Sequence, residues 1–370
     1  MYIESLELKN YRNYESLHIS FDSGTNILLG DNAQGKTNIL ESLYVCGTTK
    51  SHRGSKDKDI IRFGEEEAHI RMFLIRSGIR HRIDMHLKKN KAKGAAIDGI
   101  PIRKAAELFG MVHFVFFSPE DLNIIKNGPH ERRKFMDSEL CQMNRLYLTQ
   151  LTNYNKVVLQ RNKLLKDLSF SSGLKDTLDI WDAQMVSYGC SLIEEREKFI
   201  CQINELLKNI HRNITGGREE IELIYEPNVT KEEFGKRLLL NREKDLRQKL
   251  SSTGPHRDDF CVKVNGIDIR RYGSQGQQRS AALSLKLSEI YLVRNSIHDQ
   301  PVLLLDDVLS ELDSSRQKYL LKSIREIQTF ITCTGVEEFV QNQFPLNRIF
   351  EVVNGSVSVN QVYEQAEQEV

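Results

Sequence analysis

Eight consecutive residues, Gly30-Asp31-Asn32-Ala33-Gln34-Gly35-Lys36-Thr37, fit the pattern G-x-x-x-x-G-K-[ST]. They lie between the apolar run Ile27-Leu28-Leu29 and a helix-like stretch that opens Asn38-Ile39-Leu40. Glycines at both ends let the backbone curl until successive N–H groups converge on one anion, and a helix following at once adds the positive end of its dipole. In that frame Lys36 reaches the β- and γ-phosphates of a nucleotide, and the Thr37 hydroxyl falls on a Mg²⁺ that bridges them. The stretch therefore reads as a phosphate-binding loop for ATP. A chance glycine turn is the alternative, and a strand before and a helix after argue against it.

A second constellation is Val302-Leu303-Leu304-Leu305-Asp306-Asp307, an apolar strand ending in two carboxylates. Adjacent acids at the end of a buried strand call for a cation. Asp306 is placed to hold Mg²⁺ through water, and Asp307 to orient the water that attacks the γ-phosphate. Acids are also favoured at helix N-caps, which is the competing use. Upstream, Gly273-Ser274-Gln275-Gly276-Gln277-Gln278-Arg279 opens a helix, and on its own such a turn is a helix cap.

The elements that must position these groups follow from apolar spacing. Ile3, Leu6 and Leu8, then Leu17, Ile19 and Phe21, then Ile27 to Leu29 predict three strands leading into the loop. Period-two alternation from Ala68 to Leu87 around Ser77-Gly78 predicts a half-exposed antiparallel hairpin, and Asp98-Gly99 another turn. A short helix is expected at 103–109 and a buried strand over Val112–Phe117, stopped by Ser118-Pro119.

After Pro129 the spacing becomes helical. Tyr147, Leu151, Tyr154, Val158, Leu165 and Leu168 form one stripe, broken at Arg161 and ended by Ser171-Ser172-Gly173; Trp181, Met185, Tyr188, Leu192 and Phe199 begin a second. This predicts an antiparallel pair of helices of 25 to 30 residues, each about 40 Å long, with the aromatic residues serving helix packing. A strand over Ile221–Tyr225, a charged helical stretch over Lys231–Leu250, a type I′ hairpin at Asn265-Gly266 with its second strand through Tyr272, and helices over 277–297 and 313–327 follow. Phe330-Ile331 is expected as the last core strand. The predicted organisation is an α/β ATPase domain, with α+β texture in its N-terminal lobe, split into 1–128 and 216–370 around an all-helical insert at 129–215.

Bulk properties narrow the class. With 52 Lys and Arg against 51 acids, a global nucleic-acid signal is missing, and any such binding must come from local clusters. The six cysteines have no C-x-x-C spacing and read as reduced thiols. Charged residues within Met1–Phe21 and the lack of any long apolar window predict a soluble, cytoplasmic protein without a membrane partner. One local cluster stands out: Arg76, Arg80, Arg82, Lys88, Lys89, Lys91 and Lys93 share the first hairpin with a single acid, Asp84. It reads either as a solvated face or as a surface that tracks nucleic-acid phosphates without reading sequence. His256-Arg257-Asp258 has no nucleophile beside it in sequence and reads as structural or as a contact between copies.

Taken together, the loop, Asp306-Asp307, the following Ser310-Glu311-Leu312-Asp313 and the Gly273–Arg279 turn resemble the signature set of ABC-type ATPases. Within that class the chain resembles the RecF family of SMC-like ATPases. The likeness is carried by Leu8-Lys9-Asn10-Tyr11-Arg12-Asn13-Tyr14, Ser118-Pro119-Glu120-Asp121-Leu122, Arg132-Arg133, Gly254-Pro255-His256-Arg257-Asp258-Asp259 and Gln275-Gly276-Gln277-Gln278-Arg279. It implies an ABC-type head whose Ser274, Gly276 and Gln277 cap ATP held on a second copy, so that ATP drives a homodimer. It further implies binding to single-stranded and gapped or duplex DNA in replication, repair and the SOS response, acting with RecR and RecO to load recombinase. An ABC subunit coupled to a membrane transporter is the competing class, and a fragment of an SMC protein a third. Three departures bear on rate: Gln275 stands where many ABC proteins have glycine, Thr332-Cys333-Thr334 lacks a histidine sensor, and Asp307 stands in place of glutamate. A carboxylate one methylene shorter positions water less well, which predicts weak ATPase activity of the kind that serves a switch.

Overall fold

The structure is a computed structural model that describes residues 1–104, 107–167, 177–336, 339 and 344–360. Along the chain come β1 (Tyr2–Tyr11), β2 (Tyr14–Ser20), β3 (Thr25–Leu29), α1 (Lys36–Thr48), α2 (Asp57–Ile60), β4 (Glu67–Arg76), β5 (Ile79–Lys88), β6 (Gly94–Ile97), β7 (Ile100–Pro101) and β8 (Phe114–Phe117). Then follow α3 (Leu122–Lys126), α4 (Pro129–Met143), α5 (Arg145–Asp167), α6 (Thr177–Thr215), β9 (Ile221–Glu226), α7 (Phe234–Leu240), α8 (Arg242–Gln248), β10 (Asp259–Val264), β11 (Ile267–Asp268), α9 (Ile269–Tyr272) and α10 (Gln275–Ile297). The chain closes with β12 (Val302–Asp306), α11 (Ser314–Ile324), β13 (Thr329–Cys333), β14 (Arg348–Val353) and β15 (Ser356–Val359).

Two compact units result, Met1–Asp121 with Val293–Val370, and Leu122–Leu292. The divisions expected at 128/129 and 215/216 therefore differ from those of the folded chain: the Gly273–Arg279 turn groups with the helices, not with the phosphate loop. In the first unit, an antiparallel sheet of order β2-β1-β4-β5-β6-β7 accompanies a second sheet of order β15-β14-β3-β13-β12-β8. In that second sheet β3 lies parallel to both β13 and β14, and β12 parallel to both β13 and β8. Its central strands are almost wholly buried because both faces are covered. By contrast, β4 and β5 alternate, burying Ala68, Ile70, Met72, Leu74, Ile83, Met85 and Leu87 on one face. Removing such side chains from water is the main force holding the unit together.

One expectation is corrected here. Phe330-Ile331 is not the last core strand, since β14 and β15 follow and β14 joins the central sheet. The short helix expected over 103–109 and the stop at Ser171–Gly173 fall wholly or partly outside the described residues, as does Leu168.

In the second unit, α5 and α6 run antiparallel, as Arg161 to Asp182 and Arg196 to Tyr147 contacts require. Helix α6 has 39 residues and so spans about 58 Å, longer than the 25 to 30 residues expected, while α5 has 23. Arg161, the break in the apolar stripe, is fully buried and bonded to Asp182, Asp245 and the Ser251 hydroxyl. A buried cation survives only with such partners. The Asn265-Gly266 turn has both residues at positive φ, as a type I′ hairpin demands. Its second strand stops after Asp268, because that side chain accepts from Arg270 N and starts the one-turn helix α9 where a strand through Tyr272 was expected.

Candidate nucleotide-binding site

The phosphate loop joins the C-terminal end of β3 to the first turn of α1, whose flanking Gly35 has φ 116°. A side chain at Gly35 would collide with Asn13 and the Tyr14 hydroxyl, and one at Gly30 with the Val352 carbonyl 2.4 Å away, so both positions admit only glycine. Ala33 is also left-handed at φ 64°. Lys36 is almost fully buried, its ammonium donating to the carbonyls of Gly30 (2.6 Å) and Asp31 (2.9 Å). Asp31, Asn32 and Ala33 are exposed at the loop's crest.

Because β13 lies between β3 and β12, the loop and the paired acids end up side by side at the C-terminal edge of the sheet, the usual place for ligands in such folds. Thr37 Oγ1 donates to Asp306 Oδ1 at 2.7 Å. Thr332, on β13, donates to the same oxygen at 2.9 Å and lies 3.4 Å from Asp307 Oδ1, while its hydroxyl accepts from Asp307 N at 2.9 Å. Burial pushes the Asp306 carboxyl up; the Thr37 and Thr332 hydrogen bonds oppose this, and Asp307 adds to it. A half-desolvated carboxylate with a second one adjacent and a threonine hydroxyl in contact is a set of hard oxygen donors suited to Mg²⁺. Asp307 itself is held at φ 51°, a sparsely populated conformation for a residue with a side chain.

The loop has supports that sequence reasoning missed. Asn13 Nδ2 donates to the Gln34 carbonyl, Gly355 N donates to the same carbonyl, and Asn354 N donates to Gln34 Oε1 at 2.6 Å. The β14–β15 turn thus seats Gln34, and Asn354-Gly355, both at positive φ, is the same hairpin signal that was read at Asn265-Gly266. Below the loop, Arg12 makes a two-pronged pair with Glu41 at 2.7 and 2.8 Å, and Ser51 donates to the same carboxylate. Burial raises the Glu41 pKa, but the Arg12 and Ser51 hydrogen bonds outweigh it and hold the carboxyl below its ordinary range.

In the other unit, Ser274 and Gln277 form a reciprocal capping box at the start of α10: Ser274 Oγ accepts from Gln277 N, and Gln277 Oε1 accepts from Ser274 N at 3.0 Å. Ser274, Gln275 and Gly276 are exposed. The helix-cap reading of this turn is thus realised in its geometry, with the N-terminal end of α10 open to solvent.

The hairpin's positive charge is largely taken up. Arg80 pairs with Glu4 on β1, Arg82 with Asp84, Lys89 with Glu66 and Lys93 with Asp57, and Arg76 donates to the Gly110 carbonyl. Lys88 stands opposite Glu67. Counting only Asp84 as the hairpin's acid overlooked carboxylates that β1 and the flanking loops bring alongside.

Compared with known proteins, the chain matches the family described as RecF/RecN/SMC N terminal domain over residues 2–358. It is 58% identical over 359 residues to the DNA replication and repair protein RecF of Lachnospira eligens, covering 96% of this chain and 99% of that one. The chain belongs to the RecF family. Among solved structures, that of the recombination mediator protein RecF with ATP in the RecFOR pathway superposes with a TM-score of 0.91 at 34% identity, covering 97% of both chains. An Smc head domain with an extended coiled coil superposes with a TM-score of 0.58 at 16% identity, covering 100% of this chain and 99% of that one, a likeness of fold alone. The RecF-family fold is accordingly an α/β head of the ABC type. No helix among the described residues is long and apolar enough to cross a membrane.

Proposed function

We propose that this RecF-family chain is an ATP-driven DNA-binding protein of replication and repair, in which ATP pairs two copies on DNA and slow hydrolysis releases them. The observation that carries the reading is the 2.7 Å contact of Thr37 with Asp306 beside a loop that only glycines can form. Gly30 to Thr37 enclose the phosphates with backbone N–H groups, and Lys36 leaves its loop carbonyls to meet the β- and γ-phosphates. Thr37 and Asp306 hold Mg²⁺, which when bound neutralises charge on the phosphate oxygens. Asp307 orients the attacking water, and Thr332 fixes both acids. An aspartate in that role accounts for a weak ATPase.

The exposed capping box at Ser274 supports a second phosphate contact offered to ATP on another copy, because it engages the Ser274 and Gln277 amides and leaves the intervening first-turn N–H groups to solvent. The names of the relatives support DNA as partner, and the structure titled for the RecFOR pathway supports RecO and RecR. The hairpin supports DNA contact less than its sequence suggested, its arginines being paired; Arg76, Arg80, Arg82, Lys88 and Lys89 remain a candidate surface only if those pairs exchange for phosphates. Sedimentation with and without ATP, repeated with gapped duplex, tests the reading. Wild type should dimerise with ATP, Ser274→Arg should bind ATP and stay monomeric, and a Lys36→Met plus Ser274→Arg mixture should recover one working interface. A Ser274→Arg chain that still dimerises would remove the sandwich mechanism.

A further inference from the structure

On the solvent face of the antiparallel sheet, His69 and His86 are direct cross-strand partners with rings stacked at 3.9 Å, inclined by 24°. Glu67, two residues along β4 and so on the same face, reaches both: its carboxylate lies 2.9 Å from His86 Nε2 and 3.6 Å from His69 Nε2. One donor atom from each of the three lies within 4.8 Å of the other two. We propose that Glu67, His69 and His86 form a surface site for a borderline divalent transition cation, Zn²⁺ foremost.

Donor chemistry favours this class of ion. Two imidazole nitrogens and one carboxylate suit Zn²⁺, Co²⁺, Ni²⁺ or Cu²⁺, whereas Mg²⁺ and Ca²⁺ take oxygen sets. Tetrahedral Zn²⁺ with bonds near 2.0–2.1 Å needs donors roughly 3.3 Å apart. The Glu67 to histidine separations, made by different carboxylate oxygens, bracket that value, so the carboxylate need only turn and the two rings splay, and histidine side-chain exposures of 46% and 31% leave them room.

The platform beneath is rigid. Strand β4 is paired on both sides, by β1 and β5, and the inward neighbours Ala68, Ile70, Met85 and Leu87 are all buried. Across β5 from His69, His86 pairs with Gly94 of β6, which has no side chain to crowd the ring. Lys9 and Lys88 stand in register with His69 and Glu67, and their exposed charges lower affinity without filling the site. Elsewhere on this face carboxylates pair with guanidinium groups, as Asp84 does with Arg71 and Arg82. Glu67 instead faces two rings. Three protein donors leave the fourth position for water, and the bound ion would cross-link β4 to β5 at the end of the hairpin remote from its turn.

The test uses the full chain, stripped with EDTA and held in excess Mg²⁺ so that oxygen-only sites are occupied. Titration calorimetry with ZnCl₂ should give one site in the micromolar range. The His69→Ala/His86→Ala double variant should lose it, Glu67→Gln should weaken it roughly tenfold or more, and His18→Ala, on the same face, should leave it intact. Co²⁺ should produce the absorption of a nitrogen and oxygen set. No uptake by wild type, unchanged uptake by the double variant, or a thiolate charge-transfer band would overturn the proposal. If the double variant fails to fold, proton resonances of the wild-type imidazoles decide: two of the ten histidines should move together with Zn²⁺, and any other pattern refutes the site.

Discussion

Tyr154 meets Nδ1 of His256 at 2.7 Å, while Nε2 of the same ring lies 2.9 Å from the Ser251 carbonyl. A carbonyl only accepts, so Nε2 carries the proton, and Nδ1 accepts a hydrogen bond from the tyrosine hydroxyl. Both nitrogens are used and the ring is neutral. Burial pushes its pKa down to about 4, and the neighbouring Arg257 and Arg133 charges act the same way against the opposing Ser251 bond.

This fixes a pH dependence. The folded pKa lies below that of the unfolded chain, so the unfolded state takes up the proton first as pH falls. His256 therefore leaves stability level above about pH 6.5 and erodes it progressively down to about pH 4, by about 3 kcal/mol in all. Urea titrations across that window should give a shallower acid limb for His256→Gln than for wild type. Equal limbs would mean that the ring is protonated in the fold.

Lys36→Met should lower nucleotide affinity by at least two orders of magnitude, since the only ammonium built into the loop is lost. Fluorescent-nucleotide titration is the measurement. Stability should change little in comparison, because the Gly30 and Asp31 carbonyls lie where water can replace the lysine.

Thr332→Val keeps shape and deletes the hydroxyl that touches Asp306, Asp307 and the Asp307 amide. It should cost about 1–3 kcal/mol of stability, the amide losing its acceptor. Single-turnover hydrolysis should fall further than nucleotide affinity, because Asp307, the carboxylate proposed to orient water, loses its anchor. A proportional fall in both would assign Thr332 to binding alone.

Arg161→Met leaves Asp245 buried without its cation, while Asp182 keeps Arg242, and should cost about 3–5 kcal/mol. Adding Asp245→Asn should recover part of that loss, since Ser252 can still donate to the amide oxygen. Chemical denaturation of wild type, the two single variants and the double variant gives the coupling directly. Strict additivity would show that the arginine acts through packing.

Neutralising Arg80 and Arg82 to glutamine should change the salt dependence of DNA binding little, because both guanidinium groups already sit on carboxylates. Each phosphate contact truly lost would lower the log–log slope by about 0.9. A fall near twice that would mark the hairpin as the DNA surface after all.

Local chemistry made the loop, the paired acids and both Asn-Gly and Asp-Gly turns readable, because each depends on residue types a few positions apart. Long-range partners were not readable. Arg161 looked like an interruption because its carboxylate partners, Asp182 and Asp245, lie 21 and 84 residues on. The hairpin looked strongly basic because Glu4 comes from another strand. Thr332 stood out only within a stretch that lacks a histidine, since its contact with Asp306 exists only once β12 and β13 pair. Strand β14 carries its own signal in the Asn354-Gly355 turn.

The seating of Gln34 by Asn354, 320 residues later, bears on when the site comes into existence. Strand β3 has no sheet partner until residues 329–333 and 348–353 have been made. At translation rates of roughly 5–20 residues per second, a nascent chain carries its finished loop sequence for about 15–60 s with only Asn13 and Tyr14 to hold it, without flanking strands beside β3 or Asn354 to seat Gln34. The helical unit, encoded without interruption between Leu122 and Leu292, can assemble during that wait. A ribosome-bound chain should accordingly gain protease resistance in that middle segment first, and capacity for nucleotide only as synthesis ends.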